Sequence, residues 1–144
     1  MNVRLIVAPA VIVVAGALCG CSASDGLTAE ESRDRFHAAL DSTQEALGGA
    51  WEVQDDGTPR GCGLPLWQEG ESYAGLRVGP MPDDVSAAVS TARNVLRDQG
   101  YDTAVGGVGD VTEVRARGTG TEVIIFRITD DGMTLQGESD CRPG

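Results

Sequence analysis

Leu18-Cys19-Gly20-Cys21 are the residues of this chain whose types and spacing specify chemistry most directly. The thiol of a cysteine is the nucleophile that accepts a lipid in an exported, anchored chain. Leu three places before Cys21 and a small Gly just before it make the pattern of a lipobox, with Cys19 tolerated between them. Cleavage is expected before Cys21, with a diacylglyceryl group, and acyl chains such as palmitate, on the new terminus. Cleavage before Cys19 fits less well, because bulky Leu18 would stand at the cut. One arginine, Arg4, precedes the segment, and Leu5 to Leu18 is apolar apart from Pro9 and Gly16. That run is too short for a hydrocarbon core, which needs about 20 residues, and describes a signal peptide. An ordinary secretory leader with two chance cysteines is the plainer alternative.

Two acyl chains suffice for stable anchoring where one does not. Residues 22–27 are small and polar and read as a tether that reaches at most about 20 Å, at roughly 3.3–3.6 Å per residue. The expected organisation is a signal peptide over 1–20, the lipidated Cys21 with its tether over 21–27, and one domain over 28–144. The expected location is the extracytoplasmic face of the cell membrane.

Of four cysteines, Cys62 and Cys141 remain for the folded part. Two thiols outside the cytoplasm most simply form one disulfide. It would pin a Gly/Pro-rich loop to the C-terminal end. There is no Cys-x-x-Cys pair for redox work, and one histidine is too few for a zinc site.

The remaining candidates weigh toward structure. His37 stands four residues before Asp41, and a surface i,i+4 pair explains it more simply than a catalytic base. No Ser or Cys nucleophile motif accompanies it. Asp55-Asp56, Asp83-Asp84 and Asp130-Asp131 offer oxygen ligands for calcium. Each falls at a turn or helix start, where Asp is locally favoured. The glycines at 106–109 and 118–120 lack the strand–loop–helix context of a phosphate cradle. Trp67, in the loop that holds Cys62, either covers an open end of the core, the plainer option, or serves as a partner contact, since Trp dominates binding hot spots. No enzymatic activity, cofactor or metal is expected.

The net charge of −11 becomes one unit more negative when Arg4 is removed, and every base is arginine. An acidic surface disfavours nucleic acid, whose phosphates require basic groups. It also repels anionic headgroups within about 8–10 Å. With few aromatics, the core must be built from Val, Leu, Ile and Ala.

Thr28 and Glu31 form a capping box ahead of an amphipathic helix over 28–47, with Phe36, Ala39, Leu40, Thr43 and Leu47 on one face. Trp51 and Val53 mark a short strand at 50–55, and Trp51 is expected in the core. Residues 57–71 read as an irregular loop. Tyr73 to Val78 is a second strand with Ala74, Leu76 and Val78 on one face. Pro82-Asp83-Asp84 opens a second helix over 83–99, with Val85, Ala88, Val89, Ala92 and Leu96 inward and Gly100 at its end. Alternation over 101–105, 111–117, 121–129 and 132–138 predicts an antiparallel meander that buries Val114, Ile124, Phe126, Ile128, Met133 and Leu135. The run Val123-Ile124-Ile125-Phe126 suits a central strand covered on both faces. The order α-β-β-α-β-β-β-β, with two one-sided helices, implies an α+β two-layer sandwich on a mainly antiparallel sheet.

In this order of residues the chain resembles the LppA-type lipoproteins of mycobacteria and related actinobacteria. The matching positions are Cys21, the helix at 28–47, Trp51, Asp55-Asp56, Cys62, the second helix ending at Gly100, and Asp140-Cys141. The chain ends just after Cys141, short of the longer tail such proteins can carry. The resemblance implies an envelope lipoprotein with an α+β domain, and it supports the anchor and the disulfide.

These readings converge on a non-enzymatic envelope module. It would hold the membrane through its lipid and contact an envelope protein, glycan or lipid through its sheet face or the 57–71 loop. The alternative is a carrier of a lipid or small apolar ligand, which needs an apolar chamber between helices and sheet.

Overall fold

The computed structural model describes residues 26–144. The expected signal peptide, Cys21 and most of the expected tether lie outside the described residues. Helix α1 spans Ala29–Leu47 and opens with the expected capping box: Thr28 Oγ1 accepts from the Glu31 N–H, and Glu31 Oε2 accepts from the Thr28 N–H. It ends at Gly48, where φ of 70° would strain any side chain. Helix α2 spans Val85–Asp98 and is capped by Asp84, which accepts from the Ala87 N–H at 2.9 Å. Pro82 therefore lies ahead of the cap rather than in the first turn. Gly100, at φ 90°, lets the Tyr101 N–H reach back to the Leu96 carbonyl at 3.0 Å. Tyr101 follows as the buried contact of that motif.

Six strands form an antiparallel sheet in the order β1-β4-β8-β7-β6-β5. Strands β5 (Asp102–Val108), β6 (Val111–Arg117), β7 (Val123–Thr129) and β8 (Gly132–Glu138) are the meander. Strand β4 (Ala74–Gly79) adds beside β8, and the two-residue β1 (Glu52–Val53) closes the edge. Both helices cover one face, so the molecule is a two-layer α+β sandwich. Phe36, Leu40, Leu96, Val114, Ile124, Phe126 and Leu135 form the fully buried centre. All six predicted core residues of the meander are buried there. Trp51 packs against the margin of this core.

Five expectations change. Val85, expected inward, is exposed, because it opens α2 ahead of the first residue that reaches the core, Ala88. Residues 57–71 hold regular structure: β2 (Arg60–Gly63) and β3 (Glu69–Ser72) form a separate hairpin. The inner face of β4 is not the apolar set. Ala74, Leu76 and Val78 lie on the outer face, while Gly75, Arg77 and Gly79 face the helices. The glycines make room: a Cβ on Gly75 would stand 2.6 Å from Leu40 Cδ1, and one on Gly79 2.7 Å from the Trp51 ring. Strand β7 is central but covered fully on one side only. Ile124, Phe126 and Ile128 are buried, whereas Val123, Ile125 and Arg127 are half-buried. Ile125 faces Arg115 and Gln136 across the strands, and such long side chains shade it without sealing it. Finally, β5 runs on through Gly106-Gly107 to Val108, because Gly107 pairs so closely with β6 that a Cβ would lie 2.6 Å from the Val111 carbonyl oxygen.

Candidate functional site: the stapled hairpin

The β2–β3 hairpin pairs Arg60 with Ser72 and Gly63 with Glu69, and the Leu64 N–H closes its loop on the Gln68 carbonyl at 2.9 Å. Strand β2 holds Cys62, whose sulfur stands at disulfide distance, 1.93 Å, from that of Cys141. The C-terminal segment runs along the other side of β3: Arg142 and Glu71 exchange both backbone hydrogen bonds, at 2.8 and 3.0 Å. Gly70 sits between these layers, since a Cβ there would meet Cys141 Sγ and the Arg142 carbonyl oxygen, each at 2.9 Å. Closing the covalent loop between residues 62 and 141 stabilises the fold by ~4–5 kcal/mol on chain-entropy grounds, less any local strain.

At the tip, Pro65 to Trp67 form a single tight turn. Leu66 and Trp67 both have φ of 62°, the left-handed region. For bulky L-residues this conformation costs roughly 1–2 kcal/mol each. It turns both side chains outward: Trp67 is 100% and Leu66 88% exposed. Trp67 therefore covers no end of the core, contrary to the plainer expectation. Its neighbour Leu66 was not singled out by the sequence. Only the backbone angles place it beside Trp67 in solvent.

Other charged groups converge elsewhere. Arg77, on the inner face of β4, donates to Asp55 Oδ2 at 2.8 Å, to Gln44 Oε1 at 3.2 Å and to Asp41. Burial pulls its guanidinium down, but the hydrogen bonds it donates to Asp55 and Asp41 outweigh this and hold it above its ordinary value. His37 does not pair with Asp41, which Arg77 occupies. Its Nε2 lies 3.9 Å from Asp55 Oδ2 and has no hydrogen-bond partner among the described residues. At the other end of α1, buried Glu122 accepts from Arg35 Nη2 at 3.1 Å and from the Tyr101 hydroxyl. Burial and the bond to Glu122 push the Tyr101 phenol far above its ordinary range. These residues line a cleft of about 250 Å³ with Gly118 and Thr119. Both oxygens of Glu122 are engaged, so the cluster reads as a clasp between α1, the end of α2 and β7.

The alternation of strands gives a sign of these inward charges. Glu122 shares parity with buried Ile124, and Arg77 with Gly75 and Gly79. On the outer face Glu113 accepts from Arg127 at 2.7 Å and Arg115 at 3.0 Å, and those bonds hold its carboxyl below the usual range against a smaller opposing effect of burial.

The aspartate pairs serve local structure or an ion pair. Asp55 binds Arg77 while Asp56 accepts from the Thr58 N–H at 2.9 Å. Asp84 caps α2, and Asp130-Asp131 form the β7–β8 turn. Among the described residues no three His, Cys, Asp or Glu side chains converge as metal ligands, and no helix is long and apolar enough to cross a membrane.

No family model matches the chain, and no curated protein matches it. The fold is similar to the crystal structure of a DUF4853 family protein from Actinomyces odontolyticus, with a TM-score of 0.57. The identity is 16%, over 83% of this chain and 71% of that one. At this identity the likeness concerns the fold alone.

Proposed function

We propose that the protein is a lipid-anchored, extracytoplasmic module of the cell envelope that works by contact rather than catalysis, with the β2–β3 tip as its contact element. The observation that carries this reading is the solvent-facing Leu66-Trp67 pair on a hairpin stapled by Cys62–Cys141. A fully exposed Trp beside an exposed Leu makes a local apolar patch, the kind of surface that marks a contact site, and Trp is the residue type most enriched at binding hot spots. Rigid backing lowers the ordering cost when a partner does so. The lipobox at Cys21 supplies the location, and the LppA-type resemblance agrees with it. The fold likeness to an actinobacterial protein is compatible with that assignment at the level of fold.

Cys21→Ala with cell fractionation tests the anchor: the variant is expected to leave the membrane fraction, and retention there overturns the reading. The carrier alternative requires an apolar chamber between the layers. Phe36, Leu40, Leu96, Phe126 and Leu135 occupy that region as one buried cluster, which favours the contact reading. A lipid retained by the purified protein in native mass spectrometry would reverse that preference.

A further inference from the structure

Tip and tether leave the fold at the same end. The Ala29 N–H, in the first turn of α1, donates to the Pro143 carbonyl at 3.1 Å. Arg142 pairs antiparallel with Glu71, so Pro143 lies on the tip side of that pair, level with Gly70. From Gly70 to Trp67 is three residues, at most about 10 Å along a strand at ~3.4 Å per residue. The tether from Cys21 to the start of α1 reaches about twice as far. A lipid on Cys21 therefore holds the hairpin tip within reach of the surface that holds the lipid.

The chemistry of the tip suits that surface. Leu64-Pro65-Leu66-Trp67-Gln68 carries no charge in a strongly acidic protein. The rest of the acidic surface is repelled by anionic headgroups, whereas an uncharged apolar tip is not. Trp is enriched at the headgroup level of membranes, where its ring is half apolar and half polar. Leu66 and Trp67 project together because both hold the left-handed conformation, and Cys62 and Arg142 fix the strands behind them. We infer that the Leu66-Trp67 tip inserts into the bilayer interface beside the lipid anchor, as a second foothold that orients the domain on the membrane. This deepens the proposed function and rests on its anchor.

The test uses the mature lipidated protein in phosphatidylcholine vesicles with and without phosphatidylglycerol. Trp67 emission is read as the difference between wild type and Trp67→Phe, a variant that leaves the core intact because Trp67 touches none of it. Expected are a blue shift on reconstitution, quenching by shallow spin-labelled lipid and a several-fold loss of acrylamide quenching. Leu66→Ser should weaken all three while the protein still floats with the vesicles. If the protein floats yet Trp67 keeps the emission and acrylamide access of free indole, the foothold is wrong and the anchor stands. A photocrosslinker at position 67 that captures an envelope protein in cells, rather than lipid, also overturns it. Failure to float removes the anchor and the foothold together.

Discussion

Arg77 Nη2 stands 2.8 Å from Asp55 Oδ2, joining the inner face of β4 to the turn after β1 beneath the first helix. The Arg77 side chain is only 3% exposed, so its charge is neutralised inside the fold. Asp55 also accepts from the Leu76 N–H at 3.1 Å, which ties the turn to the sheet twice. The other carboxylate on Arg77, Asp41, is 67% exposed and largely solvated.

This asymmetry separates the two partners. Asp55→Ala leaves a buried guanidinium short of its main acceptor and should cost about 3–5 kcal/mol. Asp41→Asn should cost no more than about 1 kcal/mol, as expected of a solvated pair. Urea unfolding of both variants checks the contrast, and equal losses would contradict it.

Asp140 carries a pH signature. Its burial raises the carboxyl, but bonds from the Thr121 N–H and hydroxyl, each 2.8 Å, and the charge of Arg142 outweigh this and lower it. A lowered carboxyl adds stability that is complete above the unfolded value of about 3.9 and is lost as pH falls through the folded value. Unfolding free energy should therefore decline below about pH 4. Asp140→Asn should flatten that decline, and an unchanged acid profile in the variant would remove Asp140 as its source.

Reduction of the Cys62–Cys141 link should lower stability by about 2–5 kcal/mol. The loss should be local first. Amides of Glu71 and Arg142, which bond each other, should lose hydrogen-exchange protection before those of β7. Uniform loss across the sheet would place the staple's effect elsewhere.

Two glycines distinguish close approach from open strand. Gly75→Ala drives a methyl into Leu40 and Phe36 and should cost about 1–3 kcal/mol by overpacking. Gly106→Ala meets nothing within 4 Å and should be neutral or stabilise by up to about 1 kcal/mol. Melting temperatures of the pair read the difference directly.

What the amino-acid sequence determined by itself is local or periodic. The capping box at Thr28 and Glu31, the helix stripes apart from Val85, the Gly100 stop and the alternation from 111 to 138 depend on neighbours a few residues apart. Physical rules at that range act without knowledge of the fold. The pairing of Cys62 with Cys141 was also legible, because two leftover thiols have one simple arrangement. Tertiary structure decided the rest. Which face of β4 turns inward depended on where Phe36, Leu40 and Trp51 would lie, so the apolar face lost to the glycine face. The hairpin within 57–71 was hidden because Gly61, Gly63 and Gly70 have weak strand propensity; Arg142 and the disulfide supply the support. Asp55 looked like a turn residue until Arg77 arrived from 22 positions away. The exposure of Trp67 was set by two left-handed backbone angles at the tip, which the residue types at 66 and 67 do not announce.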